Sequence, residues 1–222
     1  LEDYGSSSSS ILYNILSLER EDFLSLLKAK EESTQYLVKF MNKLNLTKCR
    51  IADDEGTDLE FSFLEGSEFH SSFIETTGKR VFCPTITSSD VYRLLDPTSL
   101  SGWLNISKPI VLWGKVIRNL SIKFSGGKIV EYSSSPQGEA LLDLYLRQDP
   151  LSGRASMITL SEISSPLFEE DITLIPEYDR MRTISVTIGG PKGESVGEGN
   201  IEHTIDCLLS LSLPLGREST VI

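Results

Sequence analysis

The spacing of apolar residues changes once along the chain, near Asn45. Between about Glu19 and Asn45 they recur every three or four positions, and glutamate, lysine and glutamine fill most of the rest. The apolar positions are Phe23, Leu27, Leu37, Phe40, Met41 and Leu44. We therefore predict a long helix whose apolar stripe packs against a core, preceded by a shorter helical piece over Ile11–Leu18.

Beyond Asn45, short apolar runs bounded by turn residues predict β-strands. Thr47–Ala52 and Thr57–Phe63 flank the acidic turn Asp53–Gly56, and Ser121–Phe124 and Lys128–Tyr132 flank a Gly-Gly turn, which is typical of hairpins. Further strands are predicted at Arg80–Cys83, Ile110–Ile117, Ala155–Leu160, Thr183–Ile188 and Glu202–Leu211, with a helical turn at Asp90–Leu95 and a loop over Gly189–Gly199.

A second helix is predicted to begin at Pro136, with Glu139 in its first turn and an apolar side formed by Leu141, Leu142, Tyr145 and Leu146. These elements predict an α+β fold, mostly antiparallel sheet, with an N-terminal helix and one internal helix. We expect residues 1–10, which contain a serine run, to be a flexible segment. Residues 11–222 are expected to form one domain, with a helical extension over 11–45 and a β-rich core over 46–213.

Composition restricts the classes of partner. The 222 residues carry a net charge of −11, with a pI of about 4.7, which argues against nucleic-acid binding because phosphate contacts need clustered Lys and Arg. The acidity has two interpretations: solubility alone, or a face that attracts a basic partner. No apolar run is long enough to cross a membrane. Three cysteines without a C-x-x-C pair favour reduced thiols and a cytoplasmic protein.

Several weak motifs occur in a characteristic order. They are Gly56-Thr57-Asp58-Leu59, Val81-Phe82 before Pro84, Gly127-Lys128-Ile129-Val130-Glu131, Gly138-Glu139-Ala140-Leu141-Leu142 and a terminal His203-Thr204-Ile205-Asp206. In this order they resemble the C-terminal domain of the aminopeptidase T/aminopeptidase S family of thermophilic dinuclear metalloaminopeptidases. The resemblance covers about Asn45 to Leu213. It implies a peptide-sized cleft and a homodimer.

The resemblance also implies metal ligands at positions that carry other residues in this chain. Arg80 stands where the first glutamate is expected, Met157 near the second, and Ser185 at a histidine. A guanidinium is permanently charged and cannot ligate a cation. His203 and Asp206 remain, but they are three residues apart instead of two, and side chains three apart on a strand face opposite sides. We therefore predict no metal and no cofactor.

The binding residues predicted for the former cleft are Arg80, Ser185, His203 and Asp206, and no catalytic residue is predicted. Arg80 offers a bidentate fork for a ligand carboxylate; an internal salt bridge is an equally good interpretation. Other signatures are weak: His70 lies in a polar stretch without an evident partner, and no nucleophile elbow is present.

The sequence thus predicts a non-catalytic aminopeptidase-like domain that binds a peptide or protein partner. By analogy, the ligand is the precursor peptide of a ribosomal natural-product pathway. Two alternatives stay open: a metal-dependent aminopeptidase with rearranged ligands, and a structural or regulatory dimerisation protein.

Overall fold

Antiparallel strands dominate the part of the chain that the structure describes. A computed structural model describes residues 20–84, 89–161, 184–189, 210–215 and 220–221. The two helices are α1 (Phe23–Lys43) and α2 (Pro136–Leu146). The strands are β1 (Lys48–Ala52), β2 (Asp58–Ser62), β3 (His70–Ser71), β4 (Ile74–Glu75), β5 (Val81–Phe82), β6 (Val91–Leu94), β7 (Ser101–Ile106), β8 (Ile110–Leu112), β9 (Lys115–Ile117), β10 (Leu120–Ser125), β11 (Lys128–Ser133), β12 (Ala155–Leu160), β13 (Ser185–Gly189), β14 (Ser210–Pro214) and β15 (Thr220–Val221).

The strands form two main sheets and two ribbons. The six-stranded sheet has the order β11-β10-β7-β2-β1-β15, and the five-stranded sheet has the order β14-β13-β12-β6-β3. β4 pairs with β5 and β8 with β9, and every pairing is antiparallel. The predicted α+β class with mostly antiparallel sheet is therefore confirmed. Within the described ranges, no helix is long and apolar enough to span a membrane.

One hydrophobic cluster receives side chains from both main sheets and from α2. Strands β1 and β2 alternate between exposed and buried positions, so that Ile51, Leu59 and Phe61 face inward. The inward face of the five-stranded sheet adds Ile158 and Val186. Burying each such side chain stabilises the fold by roughly 1.5–3 kcal/mol.

Helix α2 begins as its sequence predicts. Ser135 caps it by accepting a hydrogen bond from the Gly138 amide at 3.2 Å, and Pro136 occupies the first turn. The Glu139 side chain accepts from the backbone N–H of Ser134 at 3.1 Å. Leu142 and Tyr145 are buried, which confirms the predicted apolar side of the helix.

Helix α1 is present where predicted, but only part of its predicted apolar stripe packs against the core. Leu37, Phe40 and Leu44 are 41%, 48% and 48% exposed, whereas Val38 and Met41 pack against the core. The helix is held by its opposite side: Asn42 Nδ2 donates to the Phe69 carbonyl at 3.1 Å, and its Oδ1 accepts from the Phe69 amide at 2.7 Å. The three- and four-residue spacing predicted an apolar face on α1. In the folded protein, only part of that face is directed toward the core.

Two short segments also differ from prediction. Asp90–Leu95 contains strand β6 and not a helical turn, because its residues pair with β12 and β3. Ile110–Ile117 is not one strand but the β8–β9 hairpin, which turns at Trp113 and Gly114, both with positive φ. The predicted helix over Ile11–Leu18 lies outside the described residues. So do the first part of the Glu202–Leu211 strand and most of the loop after Gly189.

Candidate functional site on the five-stranded sheet

A row of polar side chains crosses the five-stranded sheet. His70 pairs with Tyr92, Tyr92 with Thr159, and Thr159 with Ser185. Residues directly opposite one another in antiparallel strands project from the same face of the sheet. With roughly 4.8 Å between neighbouring strands, the row extends about 14 Å from His70 to Ser185.

A second row lies next to the first on the same face. Met157 pairs with Leu94 on one side and with Thr187 on the other. Thr159, Ser185 and Thr187 are 6%, 0% and 5% exposed, so this hydroxyl-bearing face is buried. The residues between, such as Ile158 and Val186, project from the opposite face into the core. Around β13 the five-stranded sheet thus has one apolar side and one hydroxyl-bearing side, and both are shielded from solvent.

The structure brings together Met157 and Ser185, two positions where the sequence resemblance expects metal ligands. They are diagonal neighbours, because Met157 opposes Thr187 and Ser185 opposes Thr159. Such neighbours lie about 7–8 Å apart. Within the described part of the chain, the Oγ of Ser185 is buried and has no hydrogen-bond partner. A buried hydroxyl in this state costs about 1–3 kcal/mol, which indicates that the position is not optimised for stability.

Arg80 lies in a different element from Ser185. It immediately precedes β5 in the β4–β5 ribbon and is exposed, and its backbone N–H donates to Thr76 Oγ1 at 3.1 Å. Among the described residues, no acidic side chain forms a salt bridge with its guanidinium. His203 and Asp206 lie outside the described residues, so their roles remain predictions.

Met157 and Ser185, the described residues at two of the expected ligand positions, are not typical ligands of a divalent metal pair. Thioethers such as Met157 suit soft ions, whereas the expected ligands are carboxylates and imidazoles. Across the described ranges, no three His, Cys, Asp or Glu side chains converge closely enough to hold a metal. The arrangement instead offers hydroxyl, phenol and imidazole groups, which can hydrogen-bond to amides.

Sequence reasoning did not identify Tyr92, Thr159 and His70 as parts of one surface. A usable signal was present in one predicted strand, where Thr183, Ser185 and Thr187 alternate with Ile184, Val186 and Ile188. Polar residues at alternate positions in strands that are otherwise apolar indicate a polar face. The contribution of Tyr92 was hidden because its segment was predicted to be helical.

Comparisons with known proteins agree with this fold. Residues 6–199 match the model of the family described as thermophilic metalloprotease (M29). Aminopeptidase T of Thermus aquaticus is 22% identical over 156 residues, which are 70% of this chain and 38% of that protein. Aminopeptidase PepS of Streptococcus thermophilus is 23% identical over 159 residues, or 71% of this chain and 38% of that protein. The chain therefore spans well under half the length of these relatives.

Solved structures show the same architecture. Wild-type AmpT from Thermus thermophilus superposes with a TM-score of 0.78 at 19% identity, covering 88% of this chain and 51% of that chain. A 2,5-dihydroxypyridine dioxygenase from Pseudomonas putida KT2440 superposes with a TM-score of 0.55 at 15% identity, covering 80% and 51%. The second likeness shows that this fold also occurs in a protein named for different chemistry. Because the family model matches most of this chain, the chain belongs to the thermophilic metalloprotease (M29) family.

Proposed function

We propose that this chain is a non-catalytic member of its family that binds a peptide. The carrying observation is that Met157 and Ser185 are diagonal neighbours on the polar face of the five-stranded sheet. A thioether and an unpartnered hydroxyl occupy positions where the family resemblance expects a carboxylate and an imidazole. Two-metal hydrolysis needs ligands that bridge and charge-balance both ions, and neither side chain supplies them.

The chemistry of the polar face supports a peptide as the ligand. Thr159, Ser185 and Thr187 carry hydroxyl groups that can donate to carbonyls and accept from amides without adding net charge. His70 and Tyr92 are half-buried whereas Thr159 and Ser185 are buried, so the peptide reaches the row from its His70 end. The precursor peptide of a ribosomal natural-product pathway is the specific ligand that we propose.

Arg80 is proposed to anchor an acidic group of that peptide. Its exposed guanidinium has no ion-pair partner among the described residues, so it retains its donors for a ligand. A planar guanidinium binds a carboxylate through two parallel hydrogen bonds, which a lysine cannot reproduce. His203 and Asp206 complete the proposed site from the sequence alone.

We also propose that the chain forms a homodimer, as the family resemblance implies. Two features of the described residues support self-association: β11 is an edge strand of the six-stranded sheet, and α1 exposes Leu37, Phe40 and Leu44. Light scattering at micromolar concentration is expected to give about twice the 24.7 kDa mass of the chain. A monomer mass at every concentration would contradict the dimer without affecting the binding proposal.

Elemental analysis and peptide titration test the proposed function. Protein purified without chelator is expected to contain zinc, cobalt and manganese well below one equivalent. Arg80→Ala should weaken binding of peptides that end in a free carboxylate by about tenfold or more, and Arg80→Lys should recover only part of the loss. Lys79→Gln removes a neighbouring cation and is the matched control.

Three results would overturn the proposal. A stoichiometric transition metal that is lost in His203→Ala would favour an aminopeptidase with rearranged ligands. Equal weakening of peptide binding by Arg80→Ala and Lys79→Gln would show that the β4–β5 ribbon attracts the peptide only through its overall positive charge. Hydrolysis of unblocked peptides by metal-loaded protein, abolished in His203→Ala, would also establish the enzymatic alternative.

A further inference from the structure

A cavity of about 260 Å³ lies where α1 packs on the β3 edge of the five-stranded sheet. It borders the polar row at His70 and Tyr92, and the β4 strand of the exposed ribbon forms another wall. The lining residues are Gln35, Val38, His70, Ser71, Phe73, Ile74, Glu75 and Tyr92. The cavity contains neither Ser185 nor Arg80, so it is distinct from the anchor of the proposed peptide site.

The lining combines hydrogen-bond acceptors with an apolar wall. Glu75 supplies a carboxylate, and Gln35 supplies an amide oxygen, while its Nε2 already donates to Ser71 Oγ at 3.3 Å. Val38, Phe73 and Ile74 supply the apolar surface. Among the described lining residues there is no lysine or arginine, and the formal charge that they carry is the negative charge of Glu75.

His70 adds a group that is not satisfied within the protein. Its Nε2 is shielded from solvent and has no hydrogen-bond partner among the described residues. Its ring lies 6.0 Å from that of Tyr92, centroid to centroid, which holds it at the cavity wall. Burial lowers the pKa of His70 below its usual value, although the charge of Glu68 opposes this shift. A neutral imidazole always presents one nitrogen acceptor.

We propose that this cavity binds a primary ammonium group carried on a short apolar body. The ammonium has three N–H donors and a positive charge, which match an unpartnered imidazole, an amide oxygen and a carboxylate. The apolar body packs against Val38, Phe73 and Ile74. An anion is disfavoured because Glu75 would repel it and no cation in the lining would offset that repulsion. The same chemistry is present in a free alkylamine and in the amino terminus of a peptide that begins with an apolar residue.

Isoamylamine is the first probe, and isoamyl alcohol is its neutral analogue of similar shape. Titration followed by the chemical shifts of backbone amides is expected to show isoamylamine binding at residues around His70 and Glu75, and clearly weaker binding of the alcohol. Glu75→Gln should weaken amine binding about three- to fivefold, since the carboxylate is exposed and its attraction is screened. His70→Phe, which keeps a ring beside Tyr92 but removes the acceptor, should also weaken it.

Glu55→Gln is the matched control because it removes the same charge from the exposed turn between β1 and β2. If Glu75→Gln and Glu55→Gln weaken amine binding equally, or if the alcohol binds as tightly as the amine, the inference is wrong. Melting temperatures of the variants establish that each is folded. Isoamylamine has no carboxylate for Arg80 to bind, so failure here is separable from failure of the peptide site.

A pair of peptides distinguishes the two sources of the ammonium group. Leu-Gly-Gly amide presents a free amino terminus and acetyl-Leu-Gly-Gly amide does not, and neither carries a carboxylate. Tighter binding of the free peptide than of isoamylamine, abolished by acetylation, would assign the cavity to a peptide amino terminus. Binding of isoamylamine alone would assign it to a free amine, and binding of neither probe would overturn the proposal.

Discussion

The two main sheets differ in whether their polar side chains are exposed and in whether these side chains have hydrogen-bond partners. In the six-stranded sheet the polar residues of β1 and β2 face solvent and pair across strands, as Arg50 does with Asp58 through two 2.7 Å hydrogen bonds. In the five-stranded sheet, polar residues such as Ser185 are buried, and its Oγ has no partner among the described residues. The first arrangement is what stability alone favours, whereas the second carries a cost that binding a ligand would offset.

Two arginines also differ in whether their side chains have partners within the protein. Arg93, on the core face of the five-stranded sheet, is 9% exposed and lies over the Phe63 ring at 4.3 Å. It donates to Ser67 Oγ at 3.1 Å and to the Leu46 carbonyl at 2.9 Å. Its guanidinium is therefore already bound within the protein. Arg80 is exposed and makes no salt bridge within the described ranges. Residue type alone would not separate a structural arginine from one available to a ligand.

The largest effect is expected at the hairpin of the six-stranded sheet. A Cβ added at Gly127, where φ is +73°, would lie 1.9 Å from the Pro97 carbonyl oxygen. The Gly127 carbonyl also accepts from the Ala155 amide at 2.8 Å, so the distortion would reach the five-stranded sheet. Gly127→Ala should lower the free energy of unfolding by at least about 3 kcal/mol, measured by urea denaturation.

Gly66→Ala separates steric clash from backbone strain. Gly66 has φ of +76°, but no atom lies within 4 Å of an added Cβ. Its substitution should cost only about 1 kcal/mol, the penalty for a left-handed alanine. Equal costs for the two variants would contradict the close packing of the hairpin against Pro97.

A smaller effect tests the comparison within the five-stranded sheet itself. Ser156 is 1% exposed and its Oγ donates to the Thr187 carbonyl at 3.1 Å, whereas Ser185 is equally buried but unpartnered. Ser156→Ala should therefore lower the free energy of unfolding by about 1 kcal/mol. Ser185→Ala should leave it unchanged or raise it by up to about 1 kcal/mol, because the replacement removes an unsatisfied group. Clear destabilisation by Ser185→Ala would mean that its hydroxyl makes a stabilising hydrogen bond. The polar face would then not carry an unsatisfied group that a ligand could bind.

The smallest effect concerns a titration at the edge of the six-stranded sheet. The hydroxyl of Tyr132 on β11 donates a short hydrogen bond to Asp143 on α2, and this bond is the main reason that the pKa of Tyr132 rises to about 12. Because the folded pKa exceeds the unfolded value of about 10, the associated stability is present below pH 10 and is lost as the pH rises toward 12. The tyrosinate absorbance of wild type minus that of Tyr132→Phe should titrate near 12, and a midpoint near 10 would contradict the hydrogen bond.

Sequence patterns predicted the elements whose signals are local. The β10–β11 hairpin, the capped start of α2 and the β1–β2 turn all depend on residues within a few positions of one another, and all three are present. β6 was assigned wrongly, since only pairing with distant strands distinguishes a four-residue strand from a helical turn. The β8–β9 hairpin was assigned as one strand because its turn at Trp113 and Gly114 lacks the usual Asn-Gly or Gly-Gly signal. Of the binding residues predicted from the sequence, Ser185 lies on the polar face, Arg80 lies in the β4–β5 ribbon, and His203 and Asp206 lie outside the described residues. Met157, Tyr92 and His70 share that face with Ser185 only through strand register.

The sequence by itself determined the fold class, the long helix and the replacement of expected ligand types. These features depend on composition and on residues that lie close together in the chain. Only the tertiary structure decided which polar residues share a face and which arginine remains available. It also decided that α1 and β3 enclose a cavity lined by His70 and Glu75. These outcomes depend on the order and register of strands far apart in the chain, where one shifted residue moves every side chain to the other face.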